Sequence, residues 1–241
     1  MKLHLPLNAV DRVNRPPVFY LTVQDGLILT SSVLWTISYI LYVRQAFRDR
    51  NYGMPLVPLW ANFAWEFLFT LVCPTSAAQV IAFGPWLVID LFIIYTTLQF
   101  GPEQWRHAPM VAENMGTIMA IGILFMMAVF WAVIKTIGSE KSSFYIAYGV
   151  QILISAYSIA HLVKRGHTAG HSWGIWFFRT TGTGATICQF LWKYWHYPAN
   201  YRRISEPLTM FLFAACVSID LIYPFVYAAV EQKEMMKMKY M

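Results

Sequence analysis

Five ionisable side chains interrupt stretches that are otherwise apolar: Asp25, Glu66, Asp90, Arg179 and Asp220. In a lipid environment such a residue is costly and marks a functional position by default. Glu66 lies in the run Trp60-Ala61-Asn62-Phe63-Ala64-Trp65-Glu66-Phe67-Leu68-Phe69, where helical spacing puts Asn62, Phe63 and Phe69 on its face. Asp220 shares a face with Tyr223 and Tyr227, and Asp90 with Trp86. A carboxyl in a dry, ring-walled cavity favours its un-ionised form, because desolvation penalises the charge. It can then donate a proton. The rings stabilise a cation by about 2 kcal/mol or more per desolvated contact. Acid and aromatic wall together are what proton-initiated cyclisation of a polyene requires. The same carboxyls also have a structural reading, in which they pair with Arg179 or hydrogen-bond between helices. Arg179 reads as a counter-ion or donor that orients a carboxylate.

The elements that must position these groups are membrane helices. Of the 241 residues, 58% are hydrophobic, 17% aromatic and only 12% charged, against about 25% charged in a soluble domain. That leaves too little polar surface for a water-facing globule. Seven stretches are long enough to cross a hydrocarbon core of about 30 Å: residues 20–43, 55–73, 78–99, 114–134, 143–163, 172–192 and 207–230. Turn formers separate them, among them Gly53-Met54-Pro55, Pro74-Thr75-Ser76, Gly101-Pro102, Gly138-Ser139, Gly166 to Gly170 and Pro198-Ala199-Asn200. The expected fold is all-α, one seven-helix transmembrane domain over 1–241, with an N-terminal segment 1–19 and a short charged tail 231–241. Measured from the N-terminal side, helical rise puts Asp25 at ~8 Å, Glu66 at ~10 Å, Asp90 at ~18 Å, and Arg179 and Asp220 at ~20 Å. These depths permit one central cavity holding all five.

The net charge of +6 is spread over short connections that meet lipid headgroups, and points to no nucleic acid partner. Eight basic residues fall on the N-terminal side and nine on the other, so the positive-inside rule gives no orientation. The first span reads as an uncleaved signal, since residues 1–17 contain no apolar core. Cys73, Cys188 and Cys216 read as packing residues rather than a disulfide framework. His161, His167 and His171 fit no standard metal spacing. Gly182-Thr183-Gly184 reads as close helix packing. Tyr42, Trp105, Trp192 and Trp195 read as an interfacial belt, whereas Trp35 and Tyr39, one turn apart, can line the cavity. The chain lacks an Asp-Asp-x-x-Asp run for magnesium and diphosphate. It also lacks the Asp-x-Asp-Asp acid motif of large soluble cyclases, and a lysine in the last span that could carry retinal.

The stretch from Tyr52-Gly53-Met54 through Asn62-Phe63-Ala64-Trp65-Glu66-Phe67, followed by Phe100-Gly101-Pro102-Glu103-Gln104-Trp105-Arg106-His107-Ala108-Pro109, resembles the small fungal integral-membrane terpene cyclases of meroterpenoid and indole-diterpene pathways, including the paxilline pathway. The resemblance runs over nearly the whole chain. It implies an enzyme that protonates the terminal epoxide of an epoxyprenyl chain on an aromatic-derived or indole head and closes several rings through a cation cascade. The family's essential carboxyls map onto Glu66 and Asp220, and Asp25 and Arg179 sit at family-like positions. An amide is accepted at the position of Asp90, so the resemblance gives it no acid role. Val18-Phe19-Tyr20 and the prolines before it resemble the meroterpenoid branch.

The leading expectation is therefore a metal-independent, non-redox cyclase needing no cofactor, monomeric, in the endoplasmic reticulum membrane. Its partners are the bilayer and a lipophilic epoxyprenyl, epoxyfarnesyl-type substrate. Its catalytic pair is Glu66 and Asp220. Asp25, Arg179, Asp90, Asn62, Phe63, Phe69, Trp35, Tyr39, Tyr223 and Tyr227 shape the pocket. The alternatives are the same chemistry on an epoxygeranylgeranyl indole, or a seven-helix proton-coupled transporter or receptor. A transporter more often shows an internal repeat, and none is visible.

Overall fold

Prolines and short polar residues start the helices of this chain, and left-handed residues stop them. A computed structural model describes residues 4–239. A one-and-a-half-turn helix α1 (Ala9–Asn14) is capped by Asn8, whose side-chain oxygen accepts the Asp11 amide. Helix α2 (Val18–Asp49) begins behind Pro16-Pro17 and ends at Arg50, which adopts φ 48° and returns its amide to Ala46. Helix α3 (Leu56–Phe67) starts behind Pro55 and widens at once into a π-helical turn, Leu68–Val72, closed by the Cys73 amide on the Leu68 carbonyl. Helix α4 (Ala77–Gln104) is capped by the Ser76 hydroxyl. Then come the short α5 (Pro109–Glu113), α6 (Met115–Ile137), α7 (Ser139–Arg165) and α8 (Trp173–His196), the last capped by Ser172. A 3-10 turn, Arg202–Ser205, precedes α9 (Pro207–Lys239). No strand occurs among the described residues.

Each expected span falls on one of these helices, several of which run further than their apolar core. Gly101-Pro102 was expected to be a connection and instead lies inside α4. Near a helix end a proline costs little, because the following amides fold back: that of Trp105 reaches the Gly101 and Pro102 carbonyls. The tail expected from 231 is a continuation of α9 as far as Lys239, and residues 240–241 lie outside the described ones. By length and composition five helices can cross a membrane: α2, α4, α6, α7 and α9. Helix α3 with its π turn is shorter. Helix α8 is long enough but carries Arg179, Gln189, Lys193 and several threonines.

The helix contacts close a ring in the order α2, α8, α9, α7, α3, α4 and back to α2, with α6 packed outside against α3, α7 and α4. Polarity is inverted relative to a water-soluble protein. Leu29, Val33 and Ile40 on α2, Leu91 and Phe92 on α4, Ile121 and Phe125 on α6, and Leu221 and Phe225 on α9 are exposed. Ser38, Thr97, Ser155 and Ser158 are buried. Lipid solvates the outer surface, and the interior satisfies its own polar groups. Cys216 is buried and Cys73 partly so, but Cys188 is exposed on α8 and packs against nothing inside.

The tightest seam joins α2 to α8. Gly182 lies against Trp35 and Leu34, so that a β-carbon there would stand 2.7 Å from Trp35 Cδ1, whereas one at Gly184 would meet nothing within 4 Å. The expected close packing therefore belongs to Gly182 alone. Gly182→Val should cost about 1–3 kcal/mol by overpacking and lower the thermal midpoint in detergent. Gly184→Ala should leave it unchanged. Equal midpoints for the two variants would show that the seam yields freely.

Candidate active site

Inside the ring lies a cavity of about 580 Å³, lined by α2, α3, α4, α7 and α8 together with the N-terminal segment and the connections before α4 and α9. One wall is aromatic. Trp35, Tyr39, Trp65, Phe83 and Trp86 all line it and touch in series: Trp35–Tyr39 at 5.6 Å and Tyr39–Trp86 at 5.9 Å edge to face, Phe83–Trp86 stacked at 5.1 Å and Trp65–Phe83 tilted at 4.5 Å. Two indole N–H groups are satisfied within the protein, Trp65 donating to the Ser143 carbonyl and Trp86 to the Thr36 hydroxyl.

Behind this wall sits the first carboxyl cluster. The Tyr39 hydroxyl donates to Glu66 Oε1 at 2.6 Å. The Asn62 amide reaches the Tyr39 oxygen at 2.8 Å, Asp90 Oδ2 at 2.8 Å and Glu66 Oε1 at 3.2 Å. Asn62 and Glu66 are one turn apart on α3, Tyr39 comes from α2 and Asp90 from α4, so the cluster ties three helices together. Glu66 and Asp90 are completely buried. Glu66 Oε2 and Asp90 Oδ1 have no hydrogen-bond partner, and among the described residues no cation forms an ion pair with either carboxyl. The π turn begins two residues after Glu66. Such turns recur at functional sites.

The second cluster is built differently. Arg179 donates to Asp220 Oδ1 at 2.8 Å, with both side chains 1% exposed. Asp220 also accepts from the Ser155 hydroxyl at 2.7 Å and the Gln151 amide at 3.0 Å. Arg179 bonds the Tyr42 hydroxyl at 3.1 Å and lies 5.6 Å over the Tyr223 ring. This is a compensated pair, and it joins α7, α8 and α9 to α2.

The expectation of one cavity holding all five charged groups needs correction. Asp25 lines it, but Glu66, Asp90, Arg179 and Asp220 do not. Each carboxyl is covered by neutral polar side chains, and those reach the cavity: Tyr39 and Asn62 for Glu66, Gln151 for Asp220. Asp25 is held near the mouth, its Oδ2 accepting the Leu5 amide at 2.8 Å. Trp35 and Tyr39 line the cavity, whereas Phe63, Phe69, Tyr223 and Tyr227 do not. Phe63 packs on Phe67 and Phe69 on Trp65. Tyr223 and Tyr227 stack on each other near His171. His161 and His171 contact one another at 3.3 Å, and burial pushes the His171 imidazole down to about 3. No group of three metal-ligating side chains occurs among the described residues.

Two residues had been read too blandly. Tyr42, taken for an interfacial residue, is 1% exposed and binds Arg179. Spacing held the signal, because Tyr42 follows Tyr39 by one turn on the same helix face. Lys193, one residue beyond the expected span 172–192, lies inside α8 and faces the cavity. Gln151 and Ser155 are uncharged and one turn apart on α7, and nothing in composition sets them apart.

Removing one partner of a buried ion pair leaves the other charge uncompensated, at a cost of about 3–5 kcal/mol. Arg179→Met and Asp220→Leu should each lower stability in detergent by that order. The double variant should be more stable than the sum of the two losses implies. Additive losses would show that the two side chains do not pair.

Residues 10–233 match the family model of Pyr4-like transmembrane terpene cyclases. Over 98% of both chains, 54% of residues are identical to Pyr4-family terpene cyclase mfmH of Annulohypoxylon moriforme. Terpene cyclase macJ of Penicillium terrestre is 34% identical over 93% of this chain and 89% of its own. Terpene cyclase pyr4 of Aspergillus fumigatus is 29% identical over 83% and 84%. A cavity walled by aromatic rings, two buried carboxyl clusters behind it and an apolar outer surface suit an enzyme that folds a lipophilic prenyl chain within a membrane, and with these matches the chain belongs to the Pyr4-like transmembrane terpene cyclases.

Proposed function

We propose that this enzyme protonates the terminal epoxide of an epoxyprenyl chain, of epoxyfarnesyl type, carried on an aromatic-derived head group, and closes several rings in one cation cascade. The observation that carries this reading is the Glu66–Asp90 pair: two buried carboxyls with no cation in contact, wired through Tyr39 and Asn62 to an aromatic cavity. A carboxyl in this pair can hold the proton that the reaction spends. Asp220, already paired with Arg179, is the less suited donor. Its proposed part is positional, holding Gln151 on the α7 wall of the cavity.

The proposed step begins with the epoxide oxygen beside Tyr39 and Asn62. Glu66 supplies the proton through the Tyr39 hydroxyl, which lies between it and the cavity. The C–O bond at the more substituted carbon breaks as the next alkene attacks it with its π electrons. Each ring closure moves the positive charge one isoprene unit along. Trp35, Trp65, Phe83 and Trp86 stabilise the moving charge by cation–π attraction, about 2 kcal/mol or more per desolvated contact. Loss of a proton from the last cation ends the cascade, so the reaction is an isomerisation with no net change of atoms. The proton comes from a carboxyl, and the step as proposed draws on no metal or redox cofactor. Exclusion of bulk water protects the cation from early capture.

The same reading has the chain cross the endoplasmic reticulum membrane seven times as one monomeric domain, through α2, α3, α4, α6, α7, α8 and α9. The apolar outer faces support the two weaker spans: α3 is covered by α6, and α8 turns its polar residues inward.

A general acid contributes about 10²–10⁴-fold. Glu66→Gln keeps the shape of the side chain and should lower single-turnover cyclisation of an epoxyfarnesyl aromatic substrate in microsomes by at least 100-fold. Tyr39→Phe, which cuts the link to the cavity, should lose about tenfold or more. Asp90→Asn, which keeps a polar partner for Asn62, should retain more activity than either. Wild-type rates in Glu66→Gln would remove Glu66 from the chemistry.

A further inference from the structure

The mouth of the cavity holds a cation that the proposed chemistry leaves unused. Lys193 lies near the end of α8, is 8% exposed and lines the cavity. Among the described residues, no carboxylate stands within 4.0 Å of its ammonium, and no side chain or carbonyl forms a hydrogen bond with it. It sits over the rings of Phe190 at 5.4 Å and Tyr201 at 5.8 Å. The side chain is nearly buried while its ammonium opens onto the cavity, and a cation partly stripped of water favours an anionic partner there.

The carboxylates around it bond elsewhere, and Asp11 keeps one oxygen without a partner. Glu140 pairs with Arg203, and both line the mouth. Asp25 accepts the Leu5 amide. Asp11 accepts from Asn8 and Gln24 through one oxygen. The Lys193 ammonium thus stands at the cavity lining beside the Phe190 and Tyr201 rings, which line it too.

Their place along the cavity matters. The Trp192 indole, beside Lys193, donates to the Tyr20 carbonyl, which fixes Lys193 level with the start of α2. From Asp25 to Tyr39 the same helix rises by about 21 Å, lined by Ile28, Ser31, Ser32 and Trp35. The cation and the proposed acid thus stand at opposite ends of one chamber, with no charged side chain of α2 or α8 lining the stretch from Ile28 to Trp35 between them.

We infer that Lys193 anchors the head group of the substrate, and that this head group carries an acidic oxygen, a carboxylate or an ionised phenol. The prenyl chain then lies along the aromatic wall with its far end at Tyr39 and Asn62. This rests on the cyclase reading above and adds to it the chemical class of the head and the direction in which the substrate lies.

The test uses full-length enzyme in nanodiscs and two unreactive probes, a farnesylated aromatic carboxylic acid and its methyl ester, neither bearing an epoxide. Binding is read from quenching of the tryptophans that line the cavity. Wild type should bind the acid at least tenfold more tightly than the ester. Lys193→Met and Lys193→Gln should bring that ratio to within twofold of one, and Lys193→Arg should keep most of it. A ratio near one in wild type overturns the anchor, as does a wild-type ratio in both Lys193→Met and Lys193→Gln. Thermal midpoints of each variant show that it is folded before its ratio is read. Since the probes cannot cyclise, the outcome is independent of turnover. An acid preference that depends on Lys193, alongside failure of wild type to cyclise the epoxidised acid, would sustain the anchor and remove the proton-transfer reading.

Discussion

A charged or hydrogen-bonding group buried between lipid-embedded helices has to find its partner inside the protein, since there is no water to supply one. That constraint organises this bundle. The Asn62 amide serves three oxygens from three helices, and Arg179 collects Asp220 from α9 and Tyr42 from α2. Lateral hydrophobic attraction is weak in a bilayer, where the lipid tails are as apolar as leucine. Side-chain hydrogen bonds and tight contacts such as Gly182 against Trp35 therefore set which helices are neighbours. The ring that encloses the cavity follows from these links, so the groups suited to chemistry are also those that shape the chamber.

The two clusters solve the burial of a carboxyl in opposite ways. Asp220 has its charge matched by a guanidinium at 2.8 Å and two neutral donors, an arrangement suited to a permanent carboxylate. Glu66 and Asp90 have only neutral donors, with one oxygen of each left unsatisfied. One fold thus contains a carboxyl environment that stabilises charge and another that does not. Acid and base roles in enzymes are commonly separated by such differences of environment. Sequence position alone treats Glu66 and Asp220 as equals; their partners do not.

Much of the helix layout was legible because apolar runs and turn residues alternate so clearly, and the boundaries shifted mainly where polar residues prolong a helix beyond the hydrocarbon region, as α9 does. Gly101-Pro102 misled because a proline near a helix end resembles one that terminates it. The charged positions could be found from cost alone, and aromatic neighbours one turn away identified Tyr39. Which side of a carboxyl faces empty space could not be read, since that depends on how neighbouring helices rotate against one another. Hence, on the face of Asp220, Tyr223 packs on Arg179 and His171 and Tyr227 on Trp173, away from the cavity. Lys193 was hidden for another reason: a lysine close to a helix end ordinarily snorkels outward, and only packing against α2 turns it inward.

Helix α6 stands apart from all of this. It contributes no residue to the cavity, and the large side chains at Ile121, Leu124 and Phe125 are exposed. Its part is that of an outer buttress, pressing on α3 where Gly122 admits the Trp60 ring. Reaction outcome and membrane fit are thereby written in separate parts of the chain. Drift along the outward face of α6 can tune the protein to bilayers of different thickness or composition without touching the product it makes.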